Sequence, residues 1–232
     1  MATSTNAAPD ADALVRFAKR VSHDINNFST VVRTYSELLL SDIPEGDPTH
    51  DDVAEIHRAA DATVSYLQRV TQFARVSGMR RLRVAVDDGI ADAQALLATE
   101  QAERSLQVTL GGGYLDADAS WWRNVMIELL RNAHDAAPVG TVIVVRGTTD
   151  GETVTVDVEN EGDGIPTELL ATITEPFVTS KDGVRGAGIG LAIVAAFVRT
   201  LGGSLHFERT EATHGAPRTR VRVIVPAART TG

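Results

Sequence analysis

Three groups of residues in this chain have the types and spacing to do chemistry. The first is His23-Asp24-x-x-Asn27. An imidazole beside a carboxylate is a plausible nucleophile, because the carboxylate orients the ring through Nδ1 and leaves Nε2 to attack. Asn27, four residues on, shares that face of a helix. A lone histidine on a helix is more often a solvated residue, so its position has to decide. The second group is Glu128, Asn132 and Asp135, spaced i, i+4 and i+7. An acid, an amide and an acid on one helical face suit a hard cation with oxygen ligands, Mg²⁺ above all. An ordinary amphipathic helix with Leu129, Leu130 and Ala133 on its other side accounts for the same pattern. The third group is a pair of glycine boxes, Asn160-Glu161-Gly162-Asp163-Gly164-Ile165-Pro166 and Gly186-Ala187-Gly188-Ile189-Gly190-Leu191-Ala192. Glycines at a helix start let backbone N–H groups approach phosphates closely, although Gly-x-Gly is also common in turns. A dinucleotide-binding reading fits poorly, since the second box has no strand before it.

The elements that must position these residues follow from periodicity. Leu14, Ala18, Val21, Ile25, Phe28, Val32, Tyr35 and Leu39 are spaced alternately by four and three, an a/d seam. Val53, Ile56, Ala60, Thr63, Leu67, Val70 and Ala74 repeat the pattern. Between them Asp47-Pro48 suits an N-cap followed by proline at the first helical position. With Ala18 at position a, His23 falls at f and points away from the seam. A hairpin cannot bury a seam this long alone, so pairing with a second copy into a four-helix bundle is expected. Packing against the rest of the chain is the alternative.

After Ser77-Gly78 the pattern changes. Strands are expected at 82–86, 106–110, 141–146, 153–159, 204–209 and 218–225, and helices at 88–101, 119–137 and 188–202. The second half therefore reads as an α+β sandwich, a mostly antiparallel sheet with helices on one side. In the last strand Arg218, Arg220 and Arg222 alternate with Thr219, Val221 and Val223, a solvated basic face or a docking face. Residues 1–9 are small and polar and are expected to be disordered.

Composition narrows the function classes. The 232 residues carry 22 basic and 31 acidic side chains for a net charge of −9, which disfavours nonspecific binding to nucleic acid or anionic membrane. There is no cysteine, so disulfide frameworks, thiol catalysis and cysteine zinc sites are excluded. The longest apolar run, Leu191 to Val198, is far short of the ~20 residues a membrane span needs. The first ten residues do not read as a secretory signal. A cytoplasmic protein is expected.

The order of the pieces, His23-Asp24-x-x-Asn27, the asparagine helix, the first glycine box, Glu175-Pro176-Phe177 and the second glycine box, resembles the layout of two-component sensor histidine kinases. The likeness covers about residues 10–226, and the H-D-I-N-N start and short T-S-K lid look most like the nitrogen-regulation type. It implies a dimerisation and histidine-phosphotransfer hairpin over 10–78, followed by an ATP-binding catalytic domain of the Bergerat fold over 79–228. His23 would accept the phosphoryl group, Asp24 would be its general base, and Asn27 would hold the phosphoryl group or position a water for dephosphorylating a partner. Asn132 would bind Mg²⁺ with Glu128 beside it, and Asp135 belongs to the same cofactor-binding stripe. Asn160, Gly162 and Gly164 would line the nucleotide pocket, and Gly186, Gly188 and Gly190 would approach the triphosphate. Residues 166–187 would form a mobile lid containing Phe177 and Lys181. The partner would be the receiver domain of a response regulator. About ten residues precede the first helix, so the signal is expected from a separate protein or a sensor region outside this sequence.

Three departures from the family pattern matter. Asn160 stands where the family usually has an aspartate that accepts from the adenine amino group; an amide still accepts, without the charge-assisted strength. Phe28 replaces a common proline, so the first helix is expected to continue unkinked. Glu128 occupies a position often held by asparagine in kinases, and in the related gyrase and MutL ATPases a glutamate there activates water. An ATP-independent phosphorelay carrier and an ATPase of the same superfamily are therefore the competing readings.

Overall fold

The two heptad series become two long helices because nothing inside either interrupts them. In the computed structural model, which describes residues 11–75, 80–98, 105–179, 188–210 and 217–229, α1 spans Ala11–Asp42 and α2 spans Pro48–Arg75. The expectations for residues 1–9 and for a boundary at 78/79 lie outside the described residues. With Phe28 in place of proline, α1 runs unbroken past the histidine. Asp47 caps α2: its carboxylate accepts from Thr49 N–H at 2.8 Å, a bond that holds its carboxyl below the ordinary value.

The face on which α1 is buried is not the a/d seam. Among the residues of α1 whose burial is described, from Arg20 on, the buried ones are Ser22, Ser29 and Ser36, all at heptad position e, and α2 buries Val53, Ala60 and Leu67. Small residues on one helix allow close approach of the other. Phe28, Val31, Val32, Tyr35, Leu38 and Leu39 stay exposed, Phe28 at 71% and Tyr35 at 65%. At about 100° per residue this d/a/g stripe lies on nearly the opposite side of α1 from position f.

The chain divides into two compact units, the first ending at Arg75. In the second, β1 (Leu82–Ala85) leads into α3 (Val86–Ala98), then β2 (Ser105–Thr109), β3 (Tyr114–Ala117) and α4 (Ala119–Ala136). There follow β4 (Val142–Thr149), β5 (Thr153–Glu161), α5 (Gly190–Thr200), β6 (Ser204–Thr210) and β7 (Arg218–Pro226). The five-stranded sheet has the order β2-β4-β5-β7-β6. Among the described residues only the β2–β4 pair in it is parallel, and β1 pairs antiparallel with β3 in a separate ribbon. This is the α+β fold that the sequence predicts.

Strand β3 has no counterpart in the sequence reading, because Tyr114–Ala117 follows a run of glycines and is too short to show alternation. Helix α3 begins at Val86 rather than at 88, and α5 starts at Gly190 and ends at Thr200 rather than spanning 188–202.

The core lies between α3, α4, α5 and the inner sheet face. Trp122 is fully buried, donates its indole N–H to the Val86 carbonyl at 2.9 Å and stacks on Phe197 at 6.1 Å. Gly89 makes this possible, since a Cβ there would overlap the indole ring. The outer face carries the arginines of β7, each opposite an acid of β5: Arg222 opposite Asp157, Arg220 opposite Glu159, Arg218 opposite Glu161. Arg222 grips Asp157 with two bonds of 2.7 and 2.9 Å. Arg146 and Arg220 both donate to Glu159 Oε1, at 2.6 and 2.8 Å, and Arg220 also reaches Glu208 at 3.0 Å. The alternating basic strand is thus neutralised within the sheet, and these bonds raise the pKa values of Arg220 and Arg222 further.

Candidate functional site

The histidine constellation sits on the first unit. The His23 side chain is 73% exposed, as position f requires. Its Nδ1 lies 3.2 Å from Asp24 Oδ1 and 3.4 Å from Asn27 Nδ2. Both contacts fall on one ring nitrogen, and they demand opposite protonation. With the proton on Nδ1 the ring donates to Asp24; without it Nδ1 accepts from Asn27. Nucleophilic attack needs the lone pair on Nε2, which selects the Asp24 bond and releases the Asn27 amide.

The glycine boxes and the asparagine helix meet on the second unit. Helix α4 starts at the N-cap Asp118, which accepts from the N–H groups of Ser120 and Trp121. The Ser120 hydroxyl, together with these N–H groups, holds its carboxyl below the ordinary value. Along α4 nearly every residue from Trp121 to Leu130 is buried, so the helix is not the half-solvated amphipath that would explain away its polar stripe. Glu128 is only 5% exposed. A Cβ on Gly190 would lie 2.6 Å from Glu128 Oε2 and 3.7 Å from Asn132 Nδ2, so the first residue of α5 meets these side chains because it has none of its own. Asn132 Nδ2 is buried without a hydrogen-bond partner. Asp135 lies on the exposed side of α4, so the structure gathers two of the three stripe residues at Gly190.

The first box closes on the other end of α4. Gly162 has φ 148°, and a Cβ on it would stand 2.5 Å from the Ala136 carbonyl oxygen. Asn160, at the end of β5, is 5% exposed and donates from Nδ2 to the Glu161 carbonyl at 2.9 Å. In register with it on β7 is Thr219, whose Oγ1 is buried without a partner. Gly164, with φ 84°, adjoins Thr219 and the stem of Arg209. Sequence reasoning missed Thr219, because in the alternation of β7 it reads as one more inward residue and only strand register sets it opposite Asn160.

Phe177 and Gly188 form a neck. The Phe177 N–H donates to the Gly188 carbonyl at 2.9 Å, and both have left-handed backbones, φ 71° and 65°. For phenylalanine that conformation costs about 1–2 kcal/mol. Lys181 and Gly186 lie outside the described residues. Among the described residues no group of three or more His, Asp or Glu is gathered to hold a metal ion. Mg²⁺ in nucleotide sites usually takes one or two protein oxygens and completes its shell with phosphate and water. The pair Glu128 and Asn132 fits that demand.

Comparison with known proteins matches residues 117–229 to the family described as histidine kinase-, DNA gyrase B-, and HSP90-like ATPase. The sensor kinase CckA of Brucella abortus is 28% identical over 213 residues, 84% of this chain and 22% of that protein. The sensory histidine kinase/phosphatase NtrB of Rhodobacter capsulatus is 28% identical over 94% of this chain and 63% of its own length. The chain thus spans less than two thirds of these relatives. Among solved structures, full-length ShkA in complex with AMPPNP superposes with a TM-score of 0.72 at 20% identity, covering 97% of this chain and 47% of that one. The fold is that of the Bergerat ATPase domain of histidine kinases. No helix among the described residues is long and apolar enough to cross a membrane. Residues 117–229 are thus similar to the histidine kinase-, DNA gyrase B- and HSP90-like ATPases, within a chain similar to sensor histidine kinases along most of its length.

Proposed function

We propose that this chain is a histidine kinase core, of nitrogen-regulation-like type, that binds ATP in its second unit, phosphorylates His23 and passes the phosphoryl group to an aspartate of a response regulator receiver domain. Nε2 of His23 attacks the γ-phosphorus, the bond to the β–γ bridging oxygen breaks, ADP leaves, and the Nδ1 proton passes to Asp24. Asn132 and Glu128 would hold a Mg²⁺ from the protein side, and that ion would supply charge neutralisation on the phosphates. Asn160, Gly162 and Gly164 take the base, and Gly188 and Gly190 leave room for the phosphates. Asn27, released in the tautomer that attacks, is free to orient a water for dephosphorylating the regulator. The exposed stripe of α1 pairs with a second copy, leaving His23 on the far side.

The observation that supports this reading most is the Nδ1 contact of an exposed His23 with Asp24, which presents Nε2 outward. Labelling with γ-³²P ATP tests it. His23→Gln should abolish acid-labile, base-stable label while leaving MgATP binding unchanged, and label retained elsewhere overturns the assignment. A second reading, an ATPase, is favoured by the buried Glu128 carboxylate beside Gly190. Steady phosphate release by His23→Gln that is lost in Glu128→Gln would select it.

A further inference from the structure

A second cluster of titratable side chains, away from His23 and the glycine boxes, crosses between the two helices of the hairpin. The Ser36 hydroxyl of α1 stands 3.0 Å from His57 Nδ1 of α2. On the far side of the ring Nε2 lies 3.5 Å from Asp61 Oδ2, and Arg33 of α1 reaches Asp61 Oδ1 at 3.7 Å. Serine, histidine and aspartate in contact suggest a hydrolase triad, but the ring is turned the wrong way, with Nδ1 on the serine and Nε2 on the acid. Ser36 is also only 3% exposed, so no substrate reaches it. Its single hydrogen goes to the Arg33 carbonyl at 2.9 Å. Nδ1 must then donate to Ser36, and a proton on Nε2 is what the acceptor-only carboxylate asks for. A ring that donates from both nitrogens is an imidazolium.

When that charge is lost, the contacts allow one conservative rearrangement. Nε2 keeps its proton on Asp61, and the Ser36 hydroxyl turns from its own helix to donate to the bare Nδ1. The bond between the helices thus reverses direction and loses its charge-assisted strength. We infer that Ser36, His57, Asp61 and Arg33 form a proton-operated clasp in the hairpin, tight while His57 is charged and slack when it is neutral. Histidine changes charge between about pH 5 and 8, so the hairpin holds best on the acid side of that range and loosens as pH rises. Among the described residues Arg33 from α1 and Asp61 from α2 are the charged groups that face the ring. Glu37 and Arg58, next in sequence to Ser36 and His57, are exposed; Arg58 pairs with Glu55 at 2.6 Å, and His50 lies two turns back along α2. At 1.5 Å per residue the clasp sits about 20 Å along α1 from His23, too far to touch it.

Two measurements on the full chain test the clasp. Neither uses nucleotide, so failure here leaves the phosphotransfer reading standing. The first is the ring ¹⁵N shifts of His57 in the natural protein. Both nitrogens should carry hydrogen on the acid side, and on the alkaline side Nδ1 should be bare and Nε2 protonated. A ring that is neutral throughout about pH 5 to 8, or one that loses the Nε2 proton instead, overturns the clasp. The second is amide exchange over residues 53–64 at about pH 6 and 8, corrected for the chemical rate. Protection in the natural protein should fall about fivefold across that interval, the worth of a charge-assisted hydrogen bond over a neutral one. His57→Gln should abolish the fall and Ser36→Ala should reduce it. No fall in the natural protein, or an equal fall in His57→Gln, overturns the clasp; should His57→Gln fail to fold, an equal fall in Ser36→Ala overturns it.

Discussion

The two units of this chain solve the burial problem in opposite ways. The hairpin closes on serines and small apolar residues and leaves Phe28, Tyr35 and their neighbours in water. The second unit buries Trp122, Phe197 and Ile193 and turns paired charges outward. Their chemistry follows the same division. The candidate nucleophile is an exposed side chain whose partners are set by helix periodicity, whereas Asn132, Asn160 and Thr219 are polar groups sunk in or beside a core. Among the described residues, the hairpin carries a run of large apolar side chains outside and small ones inside.

The largest effect that would break this contrast is on assembly. Replacing Phe28 and Tyr35 together by aspartate should convert a dimer into a particle of one 24.7 kDa chain, read by sedimentation. Melting of the second unit should be unchanged. A natural protein that is already monomeric would mean that the stripe has another purpose. Next comes the core of the second unit. Gly89→Ala forces a methyl into the Trp122 indole, and overpacking of this kind costs about 1–3 kcal/mol, visible in the denaturant midpoint. Ser29→Ala in the hairpin should cost much less, since the packing there is between small groups.

A smaller effect than overpacking concerns the cap of α4. The Asp118 carboxyl is held below its ordinary value by the Ser120 hydroxyl and by N–H donors. Its contribution is therefore present above the ordinary carboxylate range and is lost as pH falls through the depressed value. Asp118→Ala should cost about 1 kcal/mol at neutral pH and nothing at the acid end, in urea titrations at the two extremes.

Much of the site was legible in the sequence because its signals are local. The adjacency of His23 and Asp24, the i+4 position of Asn27 and the glycines of both boxes all act within a turn or two of chain. The meeting of Glu128 with Gly190, and of Asn160 with Thr219, depends on pairing across more than fifty residues and could not be read from spacing. The seam itself shows the limit well. The heptads of α1 were correct as a period, but the period does not say which of two adjacent faces meets α2. The serines at position e took that role because they permit the closer approach. The alternating arginines of β7 were visible too, yet their acids are supplied by other strands.

Those acids have a consequence for how ligands arrive. Because Arg146, Arg218, Arg220 and Arg222 spend their charge on Asp157, Glu159, Glu161 and Glu208, the outer sheet face offers no attractive field to a distant anion. If the second unit takes a nucleotide, as proposed above, a chain of net charge −9 meets that polyanion against its own repulsion. Capture depends on short-range contacts made after encounter, and dissolved salt, by screening that repulsion over about 10 Å at 0.1 M, speeds the approach rather than slowing it.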